Sequence, residues 1–118
     1  MNKTYTDAPD NWCIIKITTD GNINYKVFGS WFGGYTSGDA WRMNSGIAKV
    51  DEDENHYYFH GHSGSCYRCN KKGYGTGTSY TRGILENMFE YNRNHQSYWK
   101  TELELMDGGT NWLNLIEK

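Results

Sequence analysis

Long apolar runs, proline and paired cysteines are scarce in this chain of 118 residues. No stretch approaches the roughly 20 apolar residues of a membrane-spanning helix, and residues 1–10 lack the apolar core of a secretory signal. Proline occurs once, at Pro9, so a proline-rich linker is excluded. Cys13, Cys66 and Cys69 are an odd number for a disulfide framework. We therefore expect a cytoplasmic protein with free thiols.

Net charge is also small, with 12 Lys and Arg against 14 Asp and Glu. No overall field would draw the protein onto duplex nucleic acid or an anionic membrane, so any anion site must be local. Phe, Trp and Tyr make up 16% of the residues, so rings must supply much of the buried surface and some must lie outside. The length suits one core. We predict a flexible N-terminal arm, residues 1–10, followed by a single domain, residues 11–118.

Hydrophobic periodicity predicts an α+β fold. Alternating apolar residues indicate strands over 11–18, 23–31, 40–50, 56–62 and 98–106, and a further short strand at 65–70 (SCYRCN). Asp20 and Gly21 indicate a hairpin turn between the first two strands. Residues 80–92 have helical periodicity, and residues 112–115 a short turn of helix. Short links favour a mainly antiparallel sheet of about five or six strands with one amphipathic helix packed on one face.

One candidate site lies between residues 31 and 46. Three rings surround a glycine-rich loop, Arg42 follows the last of them, and small polar residues lie close by; the set is Trp31, Tyr35, Asp39, Trp41, Arg42, Asn44 and Ser45. Rings stack on nucleobases, guanidinium groups pair with phosphate, and small polar groups read hydroxyls. In the alternative interpretation, Trp31 and Trp41 are core residues and Arg42 covers them.

A second candidate site lies between residues 61 and 77. Basic residues are interleaved with tyrosines before a glycine-rich turn and a helix; the predicted ligand-binding residues are Ser65, Tyr67, Arg68, Lys72 and Tyr74. A helix N-terminus next to such a turn favours a phosphate. The segment matches neither a Walker A motif nor a dinucleotide fingerprint. A solvated basic loop is the alternative.

Metal binding and catalysis are weaker interpretations of the same region. His60, His62, Cys66 and Cys69 lie within ten residues, but residues three apart on a strand point to opposite faces, so we expect no metal. His60 and His62 could supply the acid and base of a small phosphodiesterase, and Cys66 with His60 a nucleophile and its base. No complete catalytic set is recognisable, so we expect a binding protein without a cofactor rather than an enzyme.

The sequence resembles a group of small bacteriophage proteins. The matching residues are 11–16 (NWCIIK), 25–27 (YKV), 33–35 (GGY), 38–47 (GDAWRMNSGI), 64–69 (GSCYRC) and 74–75 (YG). Phage proteins of this size with pockets of arginine and aromatic residues are similar to antidefence sponges, which sequester the nucleotide second messengers of Thoeris or CBASS immunity.

The resemblance implies a homo-oligomeric protein of the host cytoplasm that binds an ADP-ribose derivative or a cyclic oligonucleotide during infection. Rings would stack on the ligand, Arg42, Arg68 and Lys72 would hold phosphates, and small polar residues would read hydroxyls. The alternative is a protein that inhibits a host defence enzyme by direct contact.

Overall fold

A computed structural model describes residues 4–31 and 40–116, and only the backbone of residues 96–99. Within these residues lie seven strands and two helices, in the order β1 (Asn11–Thr19), β2 (Asn22–Trp31), β3 (Ala40–Met43), β4 (Ile47–Glu52), β5 (His56–Gly61), β6 (Cys66–Asn70), α1 (Ser79–Trp99), β7 (Thr101–Leu105) and α2 (Trp112–Ile116). The named strands pair antiparallel. The α+β class, the antiparallel pairing and the helix on one sheet face are confirmed.

The strands form two sheets rather than one. The first has the order β3-β2-β1-β7 and the second β4-β5-β6. The chain crosses between them at residues 44–46, in the middle of the single strand predicted over residues 40–50. Gly46 has a φ of 128°, which favours glycine, and the Asn44 side chain accepts a hydrogen bond from the Val27 N–H at 2.9 Å. Asn44 thus holds the end of β3 on β2, and β4 begins the second sheet directly after it.

Local turn chemistry forms the first hairpin as predicted. Asp20 and Gly21 have φ values of 51° and 86°, as a two-residue type I′ turn requires. Thr19 and Asn22 pair directly across it. β1 and β2 stay paired in this register along their length, and alternate residues of β1 lie on opposite faces of the sheet.

Both faces of the first sheet are covered, so the fold has three layers. On one face, Cys13, Ile15 and Phe28 pack with Leu85 of α1. The other face packs against the second sheet; this core comprises Trp12, Ile14, Val27, Ile47, Val50, Phe59, Tyr67, Cys69 and, from α2, Trp112. The run of fully buried residues in β1 follows from this double coverage.

Helix α1 begins at a threonine cap and is longer than predicted. The Thr81 N–H donates to the Thr78 hydroxyl at 3.2 Å. At the far end, the Asn92 side chain contacts β7: its Nδ2 donates to the Thr101 carbonyl, and its Oδ1 accepts from the Leu103 N–H. This tertiary contact holds the helix beyond the end of its apolar periodicity. No helix of the described ranges is long and apolar enough to cross a membrane.

The N-terminal arm, from Thr4 to Asp10, lies along β6. The N–H groups of Thr6 and Asp7 both donate to the Cys66 carbonyl, and the Arg68 N–H donates to the Asp7 carbonyl at 2.8 Å. Pro9 is buried against Gly29, where an added Cβ would come within 3.0 Å of the proline ring. The sequence predicted a flexible arm and gave no position for it. Because the arm lies beside β6, arm residues contact both Arg42 and Arg68, two of the predicted ligand-binding residues.

Candidate functional site

Strand β3 presents its two candidate residues on opposite faces. Trp41 pairs with Ser30, and its ring stacks on Phe28, with 5.3 Å between centroids and 12° between planes. The residue remains 38% exposed. Arg42 pairs with Gly29 and its side chain is 65% exposed. Trp41 therefore packs on the sheet with one ring face and still contributes to the surface. Its position combines features of the two interpretations of the sequence, a ring that stacks on a ligand and a core residue.

The N-terminal arm and β3 enclose a cleft beside Arg42. The cleft has a volume of about 310 Å³. It is lined by Thr6, Asp7, Ala8, Trp31, Ala40, Trp41 and Arg42, a set we call the Arg42 cleft. Three of the predicted ligand-binding residues, Trp31, Trp41 and Arg42, therefore line one cavity. The arm residues were not predicted, and the only sequence signal for a docked arm was Pro9, whose fixed φ suits an extended segment.

An ion pair crosses the Arg42 cleft. The Asp7 carboxylate accepts from the Arg42 guanidinium at 3.0 Å, and the Asp7 side chain is only 16% exposed. Tyr67 lies near both groups: burial and, to a smaller extent, the charge of Asp7 raise the pKa of its phenol to about 12, and the charge of Arg42 opposes this rise. Within this cleft, Asp7 is thus the built-in counterion of Arg42.

Tyr67, Tyr74 and Asn44 make structural contacts, and none of the three lines the Arg42 cleft; their part in ligand binding stays a prediction. Tyr67 is 1% exposed, because the arm and the second sheet bury it. The Tyr74 ring stacks on Trp112, and its hydroxyl donates to the Met106 carbonyl and accepts from the Ile14 N–H. Asn44 joins β2 to β3, as described above. The sequence located these groups correctly near turns and strands but could not tell which face each would occupy.

Ser45 and Ser65 lie together, away from the residues that line the Arg42 cleft. Both hydroxyls contact Gly61, where an added Cβ would come within 3.3 Å of Ser45 Oγ and 2.7 Å of Ser65 Oγ. Ser45 also accepts from the Ser63 N–H at 3.0 Å. These serines thus pack the ends of β4 and β5. Their predicted role in reading ligand hydroxyls has no support from this position.

Arg68 lies on the other side of the arm from Arg42. Its guanidinium is 4.1 Å from the centre of the Tyr5 ring. A cavity of about 250 Å³ adjoins it, lined by Ala8, Pro9, Asp10, His56, Arg68 and Asn70, which we call the Arg68 cleft. Lys72 follows at an exposed turn and lines neither cleft. The predicted residues Tyr35 and Asp39 lie outside the described residues.

The sequence predicted a phosphate at the N-terminus of α1, but threonine side chains already occupy this end of the helix. Thr78 and Thr81 provide hydroxyls to each other and to the backbone of the first turn. Thr81 is completely buried and also donates to the Thr76 carbonyl. Because side chains already satisfy this end, the glycine-rich segment before it connects strand to helix without forming an anion cradle.

The histidines and cysteines do not converge. His60 Nε2 lies 2.9 Å from Asp51 Oδ2 on the outer face of the second sheet, whereas His62 is exposed in the turn after β5. Cys66 and Cys69 occupy opposite faces of β6, as the strand pattern indicated, and burial raises the pKa of both thiols. In the part of the chain that the structure describes, no three metal-ligating side chains come together.

A larger groove that the sequence did not indicate lies between α1 and β7. Its volume is about 520 Å³, and its lining is Leu85, Glu86, Asn87, Phe89, Glu90, Arg93 and Leu105. Leu105 is 47% exposed there. An apolar floor with a charged rim is typical of a surface that contacts another protein.

Comparison with protein-family models, with curated proteins and with solved structures found no match.

Proposed function

We propose that the protein binds a phosphate-bearing nucleotide in the Arg42 cleft and sequesters it, as a phage-encoded sponge for an immune second messenger. The observation that carries the proposal is the grouping of Trp31, Trp41 and Arg42 in one cavity. Such a cavity offers a ring surface for a base and a guanidinium for a phosphate. Its volume of about 310 Å³ lies at the lower end of the range of about 300–1,000 Å³ for ligand pockets.

The ion pair with Asp7 leaves the Arg42 guanidinium accessible to a ligand phosphate. Because the Arg42 side chain is 65% exposed, its attraction to Asp7 is screened by solvent. A phosphate offers more negative charge and a bidentate geometry that matches the guanidinium fork. A ligand phosphate would therefore compete with the Asp7 carboxylate for Arg42 and replace it.

Sequestration rather than turnover fits the groups in the cleft. Asp7 and Arg42 are the ionisable residues in its described lining, so it lacks a histidine, cysteine or second carboxylate to complete an acid-base set. Tight binding alone lowers the free concentration of a signal by mass action. The resemblance to small phage proteins supports the same role.

The second candidate function is direct inhibition of a host protein. The groove between α1 and β7 favours it, because Leu85, Phe89 and Leu105 form an apolar floor beside charged residues. A partner side chain buried there could act as an anchor. The two functions use different surfaces, so variants of one surface leave the other intact.

Replacement of Arg42 tests the proposed function. A hydrogen bond to a charged group contributes about 1.5–3 kcal/mol, so Arg42→Ala should weaken nucleotide binding by roughly ten-fold to more than a hundred-fold. Asp7→Asn should strengthen binding, because it removes the competing charge. Titration with AMP, ADP-ribose and cyclic di-AMP, followed by tryptophan fluorescence, measures both effects.

Arg93→Ala is the matched control, since Arg93 lines the groove between α1 and β7 instead. The control should bind every nucleotide as the wild type does, and all three variants should keep a melting temperature close to that of the wild type. An Arg42→Ala variant with a lower melting temperature and full affinity would contradict the proposal and make Arg42 a structural residue.

A further inference from the structure

Arg68 is a partly buried cation with no ion-pair partner among the residues that the structure describes. Its guanidinium lies against the Tyr5 ring and beside the Tyr58 hydroxyl. Its Nε atom is buried with no hydrogen-bond acceptor, and among the described residues no carboxylate forms an ion pair with Arg68. A shielded charge is costly unless an opposite charge or an acceptor compensates it. The buried Nε and the charge of Arg68 are therefore available to an anionic ligand.

The cavity beside Arg68 has room and donors for such an anion. The Arg68 cleft has a volume of about 250 Å³, and His56 and Asn70 line it together with Arg68. Asp10 also lines it, so an anion is expected on the Arg68 side rather than at the centre. The His56 ring lies 3.5 Å from an Asp53 carboxylate oxygen, which orients the imidazole and leaves its other nitrogen for a ligand.

Ala8 of the arm lines both clefts. Its neighbour Asp7 contacts both arginines, since its carboxylate pairs with Arg42 and its carbonyl accepts from the Arg68 N–H. The two clefts are therefore adjacent, and the arm backbone separates them. The methyl group of Ala8 is the small side chain over which a ligand would cross.

From this arrangement we infer that the Arg68 cleft binds a second phosphate of the same ligand, and that this ligand is a cyclic dinucleotide. The inference rests on the proposed function of the Arg42 cleft. Phosphates on two sides of the arm must be separated by a sugar, as they are in a cyclic dinucleotide. The two phosphates of ADP-ribose share a bridging oxygen and reach only one cleft.

Three adenine-containing probes test the inference: AMP with one phosphate, ADP-ribose with two adjacent phosphates and cyclic di-AMP with two separated ones. Arg68→Ala should weaken binding of cyclic di-AMP by roughly ten-fold to a hundred-fold and leave AMP and ADP-ribose nearly unchanged. His56→Ala should act in the same selective way, because His56 lines the Arg68 cleft but not the Arg42 cleft. Arg68→Lys should recover part of the affinity, because it keeps the charge without the fork.

His56→Ala keeps the test valid if Arg68→Ala lowers the melting temperature. Equal affinity of His56→Ala and wild type for cyclic di-AMP would overturn the inference, as would an equal loss for all three probes. In both cases Arg42→Ala would still weaken AMP binding, and the proposed function would stand. Failure of the wild type to bind any of the probes would instead contradict the proposed function.

Discussion

At the scale of single residues, neighbouring layers decide whether a ring serves the core or the surface. Tyr67 and Tyr74 come from the same tyrosine-rich stretch as Arg68, yet both pack inside. Burial raises the pKa of each phenol to about 12. Trp41 remains at the surface because β3 is the edge strand of its sheet. The sequence predicted the residue types of a binding site but not the faces on which they lie.

The two raised phenol pKa values predict a loss of stability at high pH. An unfolded tyrosine ionises near pH 10, whereas the buried phenols stay neutral to about 12. Their contribution to stability is therefore complete below pH 10 and is lost as the pH rises towards 12. Denaturant unfolding at several pH values, with tyrosinate absorbance, measures it.

Tyr74→Phe separates the hydroxyl from the ring. The variant should lose about 0.5–1.5 kcal/mol at neutral pH, because the hydrogen bonds to Met106 and Ile14 are removed. Its stability should then fall less steeply than that of the wild type above pH 10. Tyr80→Phe, at an exposed ring, is the control, and an equally steep fall in Tyr74→Phe would contradict the assignment.

At the scale of elements, local signals were predictable and pairing across the chain was not. The Asp20-Gly21 hairpin and the centre of α1 follow from residues next to each other. The division into two sheets depends on Asn44 binding the distant backbone of Val27. The arm's place on β6 depends on backbone hydrogen bonds and on the Thr6 hydroxyl, which binds the backbone of Cys66, 60 positions further along the chain. The residues of β2 and β3 that line the Arg42 cleft could therefore be predicted from the sequence, whereas the arm residues that line it could not.

Asn92 protects the exposed edge of β7. Its amide binds the Thr101 carbonyl and the Leu103 N–H, as a neighbouring strand would. Asn92→Ala should leave the Leu103 N–H without this acceptor and lower the free energy of unfolding by about 1–3 kcal/mol. It should also favour self-association through the open edge.

Denaturant unfolding and light scattering after size-exclusion chromatography measure the two effects of Asn92→Ala. Asn94→Ala, at an exposed position of the same helix, should change neither. Wild-type stability in Asn92→Ala would show that β7 does not depend on this contact.

At the scale of the whole molecule, three layers form the buried frame, and the arm completes the two clefts proposed to bind a ligand. The first sheet is fixed by α1 on one face and by the second sheet on the other. The arm runs from the Arg42 cleft, which Thr6 and Asp7 line, to the Arg68 cleft, which Pro9 and Asp10 line, and contributes Ala8 to both. Because the frame is buried and the clefts are superficial, substitutions in the clefts should alter binding without unfolding the protein.

The measurement that tests the central claim most directly is the mass of the small molecule that co-purifies from cells with an active nucleotide signalling system. Heat denaturation should release an intact phosphate-bearing nucleotide from the wild type, and much less from Arg42→Ala purified in parallel. A wild-type protein that releases no nucleotide would contradict binding. Release of a cleaved product, absent after His60→Ala or His62→Ala, would contradict sequestration and make the protein a phosphodiesterase.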